Sequence, residues 1–121
     1  MIARIKDILA YLRVIYNPLD SISMMRIINV PKRGLGATSL VHLTNFAAEN
    51  NASIFDIIAN AEMLNAVPSL TARAKKTMQE FAAFLIMKMG KASSLHIDQL
   101  IEEVLEDSGY FKELEVDKKS E

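Results

Sequence analysis

The sequence predicts an all-α fold, a compact bundle of about six to seven short helices. Apolar residues recur at steps of three and four along most of the chain, which is the spacing of one helix face. Glycine and proline are scarce, with four and three residues among 121, and no alternating strand pattern is present. A chain of this length is expected to form one domain with a buried core, so we treat residues 1–121 as a single helical domain.

Proline and capping residues delimit the first two helices. A helical stripe over residues 3–16 ends at Asn17-Pro18, because the residue before a proline avoids the α region. Asp20 or Ser21 is suited to cap the second helix, which stops at Val30-Pro31.

Hydroxyl residues mark the starts of the next two helices. Thr38 or Ser39 opens a third helix, which runs to about Glu49 with one apolar and one polar face. Ser53 caps a short fourth helix over the apolar residues that follow. These residue types cap helices because their side-chain oxygens accept hydrogen bonds from the first backbone amides.

The longest helix is predicted from Pro68-Ser69 to about Lys88. Its stretch from Phe81 to Met87 is apolar throughout, so we expect this helix to be central and covered on most sides. The segment from Gly90 to Ser94 is expected to be a flexible link to the next helix.

The last clear amphipathic helix begins at about Ile97 and is closed by Ser108-Gly109. Acidic residues form its expected solvated face: Asp98, Glu102, Glu103, Glu106 and Asp107. One more short helix is expected from Tyr110 to Val116, and residues 117–121 are expected to be a frayed tail.

The net charge of −1 hides an asymmetry along the chain. Residues 1–50 carry six Lys or Arg against three acids, a balance of +3. Residues 91–121 carry four lysines against nine acids, a balance of −5. A partner that bears phosphates would be attracted to the first half and repelled by the last quarter. The alternative is that these charges only solvate helix faces.

Motifs for catalysis, cofactors and metals are absent from the sequence. There is no cysteine, no phosphate-binding G-x-x-x-x-G-K-[ST] loop, and His42 and His96 lie more than fifty positions apart. No apolar run reaches the ~18–20 residues of a membrane span, and the first residues do not resemble a signal peptide. We therefore expect no enzyme activity, cofactor or metal in this chain, no membrane partner, and a cytoplasmic location.

A short glycine-containing segment between the second and third helices predicts a binding site. Gly34 and Gly36 allow backbone conformations closed to other residues and remove the Cβ atoms that would hold a DNA backbone away. Leu35 between them is expected to point into the domain and fix the turn. The backbone amides that follow lie at the positive end of the third helix, which favours an anion.

Polar residues beside these glycines strengthen the prediction. Lys32 and Arg33 add two positive charges, and Thr38 adds a hydroxyl donor. The pattern is that of a helix-hairpin-helix-like corner, which contacts phosphate and sugar without reading the base sequence. The alternative is an ordinary corner between helices in which glycine only permits the bend.

Three runs in the first third of the chain form a specific pattern: KDILAYLR at 6–13, Asn17-Pro18 with Asp20, and RIINVPKRGLG at 26–36. Together they resemble superfamily 1 DNA helicases of the UvrD/PcrA/Rep kind. The resemblance is specific over residues 5–39 and continues more loosely to about residue 115, with Asp-Ser-Gly-Tyr at 107–110.

The resemblance implies that the chain is a 2B subdomain, an insertion in the second motor domain. Residues 1–19 would then be the leading helix from the motor domain. Two positions depart from the family pattern: Leu35 stands where isoleucine is commoner, and residues 1–4 lack the aromatic-Glu-Arg run usual before Lys6. The ATP site and its Mg²⁺ lie in parts of the helicase outside this chain, so no ATP hydrolysis is expected.

The resemblance also implies a role in DNA unwinding, repair or replication. The 2B subdomain is similar to a movable arm whose Gly-apolar-Gly hairpin grips the duplex ahead of the fork. The implied contact residues here are Arg33, Gly34, Leu35, Gly36 and Thr38. The implied partners are the double-stranded DNA backbone, bound without sequence preference, and the rest of the helicase motor. The alternative function is a helical protein-interaction or autoinhibitory module without direct DNA contact.

Overall fold

The computed structural model of the chain describes residues 2–29 and 33–107, with side chains from residue 6 onward. These residues form seven helices and no strand, which confirms the all-α prediction. The helices are α1 (Ile2–Tyr16), α2 (Ser21–Ile27), α3 (Ala37–Glu49), α4 (Ile54–Ala59), α5 (Ala61–Ala66), α6 (Ala72–Ala92) and α7 (Ile97–Asp107). The predicted stop at Val30-Pro31, the Ser108-Gly109 closure and the helix from Tyr110 lie outside the described residues. None of the helices described is long and apolar enough to cross a membrane.

The 21-residue helix α6 is the central element of the fold. It packs against α1, α4, α5 and α7, whereas α3 lies at the edge and packs chiefly against α4. The buried face of α6 consists of Ala74, Met78, Phe81, Ala82, Leu85 and Lys88. The spacing of these residues by three and four places them on one side of the helix.

Side-chain caps fix the starts of several helices. Asp20, one of the two caps predicted for α2, accepts a 3.0 Å hydrogen bond from the Ser23 amide. Ser53 accepts one of 3.0 Å from the Asp56 amide, as the sequence predicted for α4. Thr71 caps α6 by accepting a 3.0 Å bond from the amide of Ala74. Helix α3 differs, because its N-cap is Gly36 and it begins at Ala37 without a side-chain cap.

The second half of the chain departs from the prediction in three places. Helix α5 was not predicted, and α6 begins at Ala72 rather than at Pro68-Ser69, where Ser69 has a positive φ of 65°. Helix α6 also continues through Gly90, where a link was expected. Ile86 and Met87 are about half exposed. A seven-residue apolar run places side chains on every side of a helix, whereas the neighbouring helices cover only part of α6.

A buried lysine holds α7 against α6. The side chain of Lys88 is fully buried, and its ammonium donates hydrogen bonds to Glu103 at 3.2 Å and Asp107 at 2.5 Å. Burial alone would lower the pKa of Lys88, but the bonds to Asp107 and Glu103 outweigh it and raise the pKa above its ordinary value. Glu103 and Asp107, expected on a solvated face, therefore serve as partners of a buried cation.

Candidate nucleic-acid interface

The turn before α3 contains two glycines with different backbone conformations. Gly34 has a φ of +80°, which side-chain-bearing residues rarely adopt. Gly36 has φ −78° and ψ 161°, an extended conformation open to any residue. The expectation that both glycines need a special backbone is therefore wrong for Gly36. Leu35 between them is 5% exposed and joins the core, as the sequence predicted.

The side chain of Asn29 closes this turn from the inside. Its Nδ2 donates a 2.9 Å hydrogen bond to the carbonyl of Leu35, and its Oδ1 accepts a 2.7 Å bond from the amide of Arg33. One amide side chain thus spans the two ends of the turn and fixes Gly34 between them. No sequence pattern marks Asn29 as a closing residue, because an asparagine after a helix has no distinctive spacing.

The guanidinium of Arg33 points into the protein. Its Nη1 donates hydrogen bonds to the carbonyls of Ile27 (2.8 Å) and Ile28 (3.1 Å) at the end of α2. Its Nη2 donates a 2.7 Å bond to the Tyr11 hydroxyl, and its Cζ lies 4.3 Å from the ring centroid of Phe81. This arrangement differs from the expected phosphate contact, because the last carbonyls of a helix need donors and a nearby arginine supplies them.

A different arginine stands beside the glycine turn. Nη2 of Arg73, in the first turn of α6, lies 3.8 Å from the position that a Cβ on Gly34 would occupy. Arg73 is exposed, and Lys76, also exposed, follows three positions later, so the two share one face of the helix. The sequence could not associate Arg73 with the turn, because forty positions separate it from Arg33 and only the tertiary fold brings them together.

The surface around the turn has the properties of an anion site. Gly36 provides no side chain to cap α3, and the first turn of α3 contains no acidic residue, so neither the cap nor the first turn places a carboxylate on the first amides of this 13-residue helix. Ala37 and Thr38 are exposed beside them. The structure thus leaves Gly34, Gly36 and Thr38 exposed, with Arg73 beside Gly34, whereas Lys32 lies outside the described residues.

Comparison with known proteins identifies the family. The sequence model of one protein family, the UvrD-like helicase C-terminal domain, matches residues 2–103. The chain belongs to the UvrD-like helicase C-terminal domain family. It is 43% identical over 114 residues to the ATP-dependent DNA helicase PcrA of Staphylococcus aureus strain Mu50, and 42% identical over 109 residues to that of Staphylococcus epidermidis strain RP62A. These matches cover 92% and 88% of this chain but only 15% and 14% of the relatives.

The family assignment confirms the resemblance inferred from the sequence. As a UvrD-like helicase C-terminal domain, the chain is a helicase-associated domain, and the relatives that it matches are ATP-dependent DNA helicases. Within the part of the chain that the structure describes, no group of three or more His, Cys, Asp or Glu residues is arranged to hold a metal ion.

Proposed function

We propose that this chain is the 2B subdomain of an ATP-dependent DNA helicase and that it binds the sugar-phosphate backbone of duplex DNA. The observation that carries this proposal is the turn from Gly34 to Gly36. Leu35 anchors it in the core, while two exposed glycines leave the start of α3 open to a close approach. A DNA backbone needs such an opening, because it must come within hydrogen-bond distance of main-chain amides.

The proposed contacts are to phosphate and sugar rather than to bases. Amides from Gly34 to Thr38 and the Thr38 hydroxyl would donate to phosphate oxygens, and Lys32 would add positive charge. Arg33 would act indirectly, by fixing the turn from inside. The exposed side chains of Ala37 and Thr38 are too short to reach into a groove and read base edges, so binding would be independent of sequence.

The remaining machinery would lie elsewhere in the helicase. The ATP site, its Mg²⁺ and the single-strand channel would belong to the rest of the motor, which would be the protein partner of this domain in the cytoplasm. Residues 1–19 would form the leading helix from that motor. The isolated chain would bind duplex without hydrolysing ATP, and its movement would influence unwinding during repair or replication.

A binding titration at several salt concentrations tests this proposal. Fluorescence anisotropy of two labelled duplexes with unrelated sequences should give equal, weak affinities. With about two to four phosphate contacts, the slope of log affinity against log salt should be about −2 to −4. Affinity that ignores salt, or that favours one duplex strongly, would contradict a backbone contact.

A second candidate function is a protein-interaction module, and one surface favours it. An apolar groove between α2, the end of α3 and the start of α4 is lined in part by Leu19, Ile22 and Ile54. Ile22 is 87% exposed and Leu19 is 62% exposed, which is unusual for large apolar side chains in a bundle. Under this reading, Ile22→Ser would abolish function in the full helicase while duplex binding by the chain stayed unchanged.

A further inference from the structure

We infer that Arg73 and Lys76 on α6, here called the α6 basic pair, form a second phosphate contact beside the glycine turn. The DNA backbone would then be held between two chain segments, the turn and the start of α6. This inference rests on the proposed function, since it extends the same site to a second helix. The ligand chemistry is the phosphodiester backbone of a duplex.

The position of Arg73 is the first argument. Its Nη2 lies 3.8 Å from where a Cβ on Gly34 would stand, so the guanidinium borders the place that the glycine leaves open. Arg33 cannot provide this charge, since its guanidinium faces Tyr11 and Phe81 on the inner side of the turn. The positive charge on the outer side of the described turn therefore comes from α6.

The lack of an internal counter-ion is the second argument. In the described part of the chain the ion pairs use Arg26, Lys88 and Lys91 as cations. Neither Arg73 nor Lys76 forms an ion pair with a described acidic residue, and both are exposed. A planar guanidinium with free donors matches two oxygens of one phosphate.

The location of the α6 basic pair within its helix is the third argument. The positive end of a helix repels cations, and the first turn of α6 carries no acidic residue to offset Arg73. Two like charges spaced by three positions also repel each other. This placement is unfavourable for Arg73 in α6 alone, and it becomes favourable when an anion binds beside its guanidinium.

Acidic residues limit the direction in which the DNA can extend. The cleft between the turn and α6 is lined by Arg33, Thr77, Glu80, Phe81, Phe84 and Asp107. Glu80 and Asp107 would repel a phosphate placed along this cleft toward α7. The backbone must therefore cross the turn at the Arg73 end of α6, where cations outnumber acids.

Three single substitutions in the 121-residue chain test the α6 basic pair. Arg73→Ala should weaken binding to a labelled duplex several-fold and make the salt slope about one unit shallower. Lys76→Ala should act in the same direction with a smaller effect. Arg13→Ala removes the same charge from an exposed arginine on α1, beside Arg26 and Ile22 in another groove, and should leave the slope unchanged.

Thermal unfolding of the same proteins separates binding from folding. Since Arg73 opposes the positive end of α6, Arg73→Ala should melt at the same temperature as the parent or higher while binding more weakly. Arg73→Ala with parental affinity, or Arg13→Ala with an equal loss, would overturn the inference. The proposed function would survive the failure of this inference if the parent binds duplex and Gly36→Asp abolishes that binding. A parent that binds no duplex at low salt overturns both.

Discussion

Arg33 and Tyr11 are joined by a 2.7 Å hydrogen bond from the guanidinium to the phenolic oxygen, across 22 positions of chain. Tyr11 is buried in α1, where its ring meets that of Phe84 edge to face. Phe84 in turn stacks on Phe81, the ring beneath the Arg33 guanidinium. The glycine turn is therefore tied to α1 and α6 from its inner side, which leaves its outer side as the rigid surface proposed to meet DNA.

The first prediction concerns Arg33 as the inner support of the turn. Arg33→Ala removes the hydrogen bonds to Ile27, Ile28 and Tyr11 and the cation–π contact with Phe81, so it should lower the free energy of unfolding by about 2–3 kcal/mol. Arg33→Lys should recover little, because an ammonium lacks the planar fork. Tyr11→Phe should cost about 1 kcal/mol. Urea denaturation measures these free energies. An Arg33→Ala protein as stable as the parent would show that Arg33 does not support the turn from inside.

The second prediction compares serine at the two glycines. Gly34→Ser should lower stability by about 1–2 kcal/mol, because the residue must keep a positive φ. The nearest atom to the new Cβ is 3.8 Å away, an ordinary contact, so this cost comes from the backbone. Gly36→Ser should raise stability by a few tenths of a kcal/mol, because serine caps a helix better than glycine. Equal losses at both positions would contradict the assigned conformations.

Helix spacing was enough to predict most of the fold. The α1 stripe, the Asp20 and Ser53 caps and the burial of Leu35 were all expected from local sequence, because each depends on residues within a few positions. The short helix α5 was not predicted, because no long apolar stripe marks it. Its start depends on Asn60, whose side-chain oxygen accepts hydrogen bonds from the amides of Glu62 and Met63.

Long-range pairings account for what the sequence could not predict. The inward turn of Arg33 depends on Tyr11 and Phe81, and the proximity of Arg73 to Gly34 depends on how α6 packs. The sequence predicted Lys88 only as the approximate end of a helix. Its burial depends on two carboxylates from α7, which pair with its ammonium. In each case the partner lies at least fifteen positions away and carries no local signal of the contact.

The third prediction concerns the buried ammonium of Lys88. Lys88→Met keeps the buried stem and removes the charge, so stability should stay within about 1 kcal/mol of the parent. Replacing both partners, in a Glu103→Gln, Asp107→Asn double variant, leaves a buried cation without compensation and should destabilise the chain more than Lys88→Met does. Denaturant titration ranks the two proteins. A double variant as stable as Lys88→Met, or more stable, would show that the buried ammonium does not depend on these two carboxylates.

The fourth prediction is the effect of acid on stability. The backbone and side-chain hydrogen bonds from Ser23 lower the pKa of Asp20, and those from Lys91 and then Lys88 lower the pKa of Glu103. A lowered pKa in the folded state gives stability that is present above the ordinary carboxyl range and lost as pH falls through the lowered values. Unfolding free energy should therefore be constant from about pH 7 to 5 and should decrease below about pH 4.

Asparagine provides a control for this acid effect. Asp20→Asn keeps an oxygen that accepts from the Ser23 amide but no longer titrates. The decrease in stability below about pH 4 should be shallower in this variant than in the parent. The single variant Glu103→Gln should also show a shallower decrease than the parent. Identical acid profiles for all three proteins would show that neither carboxylate is linked to folding.

The last prediction tests whether DNA binds at the glycine turn. The measurement is the duplex affinity of Gly36→Asp and Gly36→Ser at low salt. Both residues cap α3 from the extended backbone of position 36, so both proteins should fold at least as well as the parent. The aspartate carboxylate would take up the open amides and repel phosphate. Gly36→Asp should lose nearly all duplex binding, while Gly36→Ser should keep most of it. Parental affinity in the folded Gly36→Asp protein would contradict DNA binding at the glycine turn and place any DNA contact elsewhere.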